Sequence, residues 1–157
     1  MRQVSAPHRQ LTRGEIALAR SVFGDSIDYD RVRIVRGRWW PFQPRNVAMA
    51  PNGNIYFPDG PLRSEDYSAE GLHLQGLFIH EMTHVWQAQK AGRWYLILMR
   101  HPFCRYRYRL VPGRPFRRYG IEQQAEMVRH FFLFGKAGAL PGTPPEQLAA
   151  ILPFSPG

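Results

Sequence analysis

Residues 71–89 read Gly71-Leu72-His73-Leu74-Gln75-Gly76-Leu77-Phe78-Ile79-His80-Glu81-Met82-Thr83-His84-Val85-Trp86-Gln87-Ala88-Gln89. The segment is too apolar for a solvated surface helix, so it predicts a half-buried helix at the wall of a cleft. At its centre stands His80-Glu81-Met82-Thr83-His84, an HExxH pentapeptide. Two histidines four apart on a helix share one face, and both imidazoles can reach one ion. The intervening Glu81 lies beside that ion without having to bind it. From there it can take a proton from an activated water and return it to a leaving amine.

A catalytic zinc needs a third protein ligand. A histidine six residues beyond the pentapeptide would require glycine at 87 and histidine at 90, where the chain has Gln87 and Lys90. The remaining common solution is a glutamate on a later helix. Glu122-Gln123-Gln124-Ala125-Glu126 offers two carboxylates on one helical face, the first of them 38 residues after His84. Glu122 is therefore expected as the third ligand. Glu126 is expected behind the ligands, accepting the free ring N–H of a histidine and fixing its tautomer. His73, His101 and His130 are rival ligands. Without the upstream pentapeptide, the two glutamates would read as an ordinary charged helix face.

His80-Glu81-x-x-His84 followed by Glu122-x-x-Ala125-Glu126 resembles the gluzincin arrangement, in which HExxH precedes ExxxD; this chain has Glu126 where many members carry aspartate. The longer stretches His80–Gln87 and Tyr119–Gln124 resemble small bacterial Vgr-related metallopeptidase-like proteins. They also resemble the HExxHVxQ domains found beside contractile injection and type VI secretion systems. The resemblance runs from about Leu11 to Phe134. It implies a minimal zincin-like α+β domain with an active-site helix, a second metal-binding helix and a small, mostly antiparallel sheet.

The mechanism expected from these residues is zinc-dependent peptide-bond hydrolysis. His80, His84 and Glu122 hold Zn2+, Glu81 is the general base, and a further donor stabilises the oxyanion. Tyr119, three residues before Glu122, is the first choice for that donor, with Tyr106, Tyr108 and His130 as alternatives. Each of these aromatics reads more readily as a core or strand-packing residue.

The 157-residue length fits a single domain, with a core over about 11–137 and a Pro/Gly-rich tail over 138–157. The 44% hydrophobic and 21% charged content belongs to a folded chain rather than a disordered one. A lone Cys104 excludes an internal disulfide and a cysteine-based zinc cluster. No apolar h-region opens the chain and no run is long enough to span a membrane, so the expected location is cytoplasmic, with export by a specialised secretion system. Arg93 to Arg118 holds eight arginines and no acidic residue, accounting for most of the +9 net charge.

Elsewhere, Thr12-Arg13-Gly14-Glu15 fits a capping box opening a helix that Gly24 stops. The alternation from Asp28 to Val35 predicts a strand, and Val47–Ala50 and Asn54–Phe57 around Asn52-Gly53 predict a hairpin. Its edge could take an extended substrate. Asp66 or Ser68 would cap the motif helix, and Arg105–Arg109 would form a strand. A second helix should run from Ile121 to Phe134, and a short one from about Glu146 to Leu152.

Two other functions compete. A non-catalytic, zinc-containing accessory module of a secretion system would dock through segment 93–118, on a partner protein or acidic glycans. Nucleic-acid binding through the same arginines lacks any helix-turn-helix, finger or RNA-recognition signature, which counts against it. A protein or peptide substrate and a secretion-system partner are the expected partners.

Overall fold

The longest helix in the protein, α2 (Leu72–Ala91), is buried on nearly every side, as its all-round apolar composition requires. The computed structural model describes residues 7–99, 104–138 and 144–155. His101, one of the rival ligands, lies outside the described residues. Gly71 starts α2 without a side-chain cap, and Asp66 instead accepts from the Ser68 N–H in a short 3-10 turn, Tyr67–Ala69. The helix stops at Gly92, whose φ of 91° lies where only glycine sits without strain.

Packed along α2 is α4 (Ile121–Ala137), the second predicted helix, extended by one turn and ended by Gly138. Its N-terminus is closed by Gln123, whose side-chain oxygen accepts the Gly120 N–H at 3.0 Å. Earlier in the chain come β1 (His8–Gln10) and α1 (Arg13–Phe23), followed by β2 (Arg33–Arg36) and β3 (Ile55–Phe57). The capping box on α1 forms as expected. The Asp28–Val35 stretch begins instead as a 3-10 turn, Tyr29–Arg31, and becomes strand only at Arg33.

The fold is α+β, but the sheet is mixed rather than mostly antiparallel. In the order β1-β2-β3, β1 pairs antiparallel with β2 and β2 pairs parallel with β3. The expected hairpin contracts to one antiparallel bridge, Met49 with Tyr56. Its first arm curls because the Val47 N–H donates to Pro44 O and the Gln43 side-chain amide takes Val47 O.

Phe57, Tyr67 and Phe78 stack in series at 4.5 and 5.7 Å, joining β3 to the face of α2 opposite the histidines. Glu15 is fully buried in α1 and meets Arg9 through two 2.8 Å bonds, while accepting from the backbone N–H groups of Thr12 and Tyr67. One carboxylate thereby fastens β1, α1 and the turn before α2 together.

One expectation about the later chain changes. Arg105–Arg109 forms no strand: among the described residues no strand pairs with it, and Arg107 O is taken by the side chain of Gln123. Farther along the chain, Leu148 of α5 (Pro145–Ile151) is fully buried and Phe154 packs on Phe23, Trp86 and Phe116. The remaining helix, α3 (Tyr95–Met99), holds Leu96 against Ala88 and Ile121. Among the described residues no helix is long and apolar enough to cross a membrane.

Candidate metal centre

His80 and His84 project one turn apart from α2, with ring centroids 5.0 Å apart. Facing them, Glu122 rises from the first turn of α4. Its Oε2 stands 3.1 Å from Nε2 of His80 and 3.1 Å from Nε2 of His84. All three side chains are buried. They can each offer one ligand atom to a common ion. Ligands about 2.0–2.2 Å from a tetrahedral zinc lie about 3.3–3.6 Å from one another, a few tenths of an ångström beyond the two 3.1 Å separations here.

The outer ring nitrogens are also committed. His80 Nδ1 lies 2.8 Å from Glu126 Oε1, and His84 Nδ1 lies 2.8 Å from Gln87 Oε1. Both partners are acceptors, so both Nδ1 atoms carry hydrogens. The Gln87 orientation is settled because its amide nitrogen donates to Ile121 O at 3.1 Å and to Gln124 Oε1 at 2.9 Å. Gln124 is settled in turn by donating to Tyr119 O at 2.7 Å. In a neutral imidazole the hydrogen on Nδ1 leaves a lone pair on Nε2. Two such lone pairs aimed at a carboxylate oxygen repel unless positive charge lies between them. Protons can supply it, or a metal ion can.

The electrostatics follow that need. Burial pulls the His80 imidazole down, but its hydrogen bonds to Glu122 and Glu126 push it up to about 9. Burial opposes ionisation of Glu122, yet the charges and hydrogen bonds of His84 and His80 hold its carboxyl well below the usual range. Glu126 is lowered too: the burial cost is outweighed by the His80 hydrogen bond, with Arg129 and His130 adding to it. The residues fit a divalent cation: two nitrogen lone pairs, one ionised oxygen, and outer hydrogen bonds that orient both rings.

A cleft of about 330 Å³ opens on this group, lined among others by Val47, Ala48, Leu77, Glu81, Tyr106 and Arg129. Glu81 is buried beside His80 and raises its pKa by charge. Tyr106 lies at the cleft, its ring nearly parallel to that of His80 at 6.2 Å. Tyr119, the expected oxyanion donor, is placed elsewhere: it is buried in the core, and its hydroxyl accepts the Val111 N–H at 2.9 Å. Tyr108 bonds to His130 Nδ1 at 2.7 Å, and His130 Nε2 stands 3.6 Å from Glu126 Oε2, one carboxylate removed from the triad. His73 is exposed at the start of α2 and lies outside the group. The two amides Gln87 and Gln124 were not foreseen as site residues. The available signal was position: Gln87 falls one turn after His84, and Gln124 two residues after Glu122.

No family model matches the chain. The type VI secretion system spike protein VgrG2b of Pseudomonas aeruginosa is 47% identical over 141 aligned positions, which cover 83% of this chain. They make up 14% of that relative, so the chain spans only about one seventh of its length. The solved effector domain of Pseudomonas aeruginosa VgrG2b superposes with a TM-score of 0.73 at 40% identity, over 94% of this chain and 86% of that one. A match of that identity, covering most of both chains, places this protein in the family of the VgrG2b effector domain.

Proposed function

We propose that this protein is a zinc-dependent peptide hydrolase carried by a type VI secretion system. The supporting observation is the convergence of His80 Nε2, His84 Nε2 and Glu122 Oε2 at 3.1 Å, with both Nδ1 atoms already committed to acceptors. Zinc held by those three atoms would supply Lewis-acid activation of water and of the scissile carbonyl.

The other roles belong to the chain's own side chains. Glu81, buried beside His80 at the cleft, takes the proton from the attacking water on its carboxylate and passes it to the leaving amine. Glu126 and Gln87 hold the Nδ1 hydrogens of His80 and His84, so the Nε2 lone pairs stay directed inward. Tyr106 stands at the cleft and is the donor for the developing oxyanion.

Segment 46–50 would hold the peptide. Met49 exchanges both of its backbone bonds with Tyr56, so alternation turns the N–H and C=O of Ala48 and Ala50 to the opposite side. Ala48 lines the cleft there, and Ala50 lines a small adjoining pocket together with His84 and Glu122. An extended substrate can add to that edge by main-chain hydrogen bonds.

Delivery by a secretion system rests on the VgrG2b relationship. The test of the hydrolase reading is peptide cleavage by the zinc-loaded protein beside Glu81→Gln. Cleavage present in the first and absent in the second supports it; equal cleavage by both overturns the base assignment.

A further inference from the structure

Arg129 projects from α4 one turn beyond Glu126 and lines the same cleft as His80, Glu81 and Glu122. Its side chain crosses α2 at Gly76, one turn before His80. A Cβ on Gly76 would stand 3.3 Å from Arg129 Nε and 3.3 Å from Leu133 Cδ2. Glycine in a helix interior is destabilising relative to alanine, and here its missing side chain leaves the channel in which the guanidinium lies.

The donors of that guanidinium are largely uncommitted. Arg129 Nε is buried with no acceptor in hydrogen-bonding range among the described residues. Nη1 stands 3.4 Å from Glu126 Oε1, longer than the roughly 2.7–2.9 Å of a closed charge-assisted bond. That oxygen already accepts from His80 at 2.8 Å, and the other oxygen of Glu126 faces His130 at 3.6 Å. A single carboxylate shared among three groups leaves Arg129 with charge and fork geometry to spare, beside the apolar Leu77, Val47 and Ala48. A planar guanidinium at the wall of a partly apolar cleft is matched by a carboxylate.

We propose that Arg129 is a substrate-binding residue that recognises a carboxylate close to the scissile bond, making the substrate class an anionic peptide. The inference rests on the hydrolase reading, because it takes the metal triad as the point from which the substrate is measured. Glu126 lies between the two, so the carboxylate belongs to the residue next to the bond, as an acidic side chain or a free C-terminus.

The test uses two series of small hydroxamates, whose metal-chelating head anchors them at the triad. One carries a terminal carboxylate on an arm of two to four methylenes, the other the matching carboxamide. Affinities are measured by calorimetry on zinc-loaded wild-type protein, Arg129→Gln and Arg129→Lys. The proposal expects at least one carboxylate arm to bind about tenfold more tightly than its amide in the wild type. It also expects that ratio to fall to about one in Arg129→Gln and to recover in part in Arg129→Lys. A structural role for Arg129 would weaken acid and amide alike and leave the ratio unchanged. Equal binding of acid and amide by the wild type, or a preference that survives in Arg129→Gln, overturns the proposal while leaving the metal site standing. Failure of the wild type to bind any hydroxamate overturns both.

Discussion

The side-chain oxygen of Gln87 accepts the Nδ1 hydrogen of His84 at 2.8 Å, one helical turn along α2. The bond has one polarity only, because the amide nitrogen of Gln87 is already donating to Gln124 and to the Ile121 carbonyl. A chain of buried amides running back to Tyr119 O thus decides which nitrogen of His84 faces Glu122.

Gln87→Leu should therefore lower zinc affinity about 10–100-fold, the usual cost of losing a group that orients a metal-bound histidine. The fold should survive, since a leucine fills similar volume, although Gln124 loses a donor. Competition with a chromogenic chelator measures the affinity. Unchanged affinity would show that the amide chain does not control the ligand.

Glu81→Gln keeps the shape and burial of the side chain but cannot hold a proton. Zinc content should stay at the wild-type level, while any peptide cleavage falls by about 10²–10⁴-fold. A single set of preparations gives both values, by mass spectrometry and by a fluorogenic peptide assay. Loss of zinc in this variant would mean that Glu81 acts as a ligand instead.

Stability should depend on the pair formed by half-buried Arg9 and fully buried Glu15. Glu15→Ala leaves the guanidinium of Arg9 and the N–H groups of Thr12 and Tyr67 without their shared acceptor. Breaking one side of such a pair costs about 3–5 kcal/mol. Chemical denaturation should show a lower midpoint with zinc absent. A shift below about 1 kcal/mol would place the fastening of β1 to α1 elsewhere.

In the metal-free protein, pH acts on the same triad. His80 is raised from 6.5 to about 9 against the pull of burial, by hydrogen bonds to Glu122 and Glu126. A raised histidine stabilises the fold fully below about 6.5, and that contribution is lost as pH climbs through about 9. The melting temperature of the chelator-treated protein should fall between pH 7 and 9.5, and zinc should remove much of the slope. A flat profile without metal would contradict the pairing.

The HExxH pentapeptide and the later glutamates were legible because helical spacing turns sequence distance into geometry: four residues are one turn, whether between the histidines or between Glu122 and Glu126. α1, α2 and α4 were readable for the same reason, from apolar pattern and glycine stops. What depended on long-range pairing was not. Arg and Tyr alternate from 105 to 109 as in a strand, yet Tyr108 reaches His130 and the backbone meets Gln123. Val47–Ala50 carries a strand-like composition, but Gln43 ties Val47 back and leaves one bridge. The parallel pairing of β2 with β3 follows from the path of the 18 residues between them, which carry no local signal for it. Tyr119 sits close to Glu122 in sequence, but the turn before α4 points it into the core.

The most direct measurement is the zinc content of the native protein by mass spectrometry, beside Glu122→Ala and Glu126→Ala. Close to one zinc per chain is expected in the wild type, lost in Glu122→Ala and retained with weaker affinity in Glu126→Ala. A wild-type protein that holds no zinc even after incubation with it would contradict a metal site at His80, His84 and Glu122.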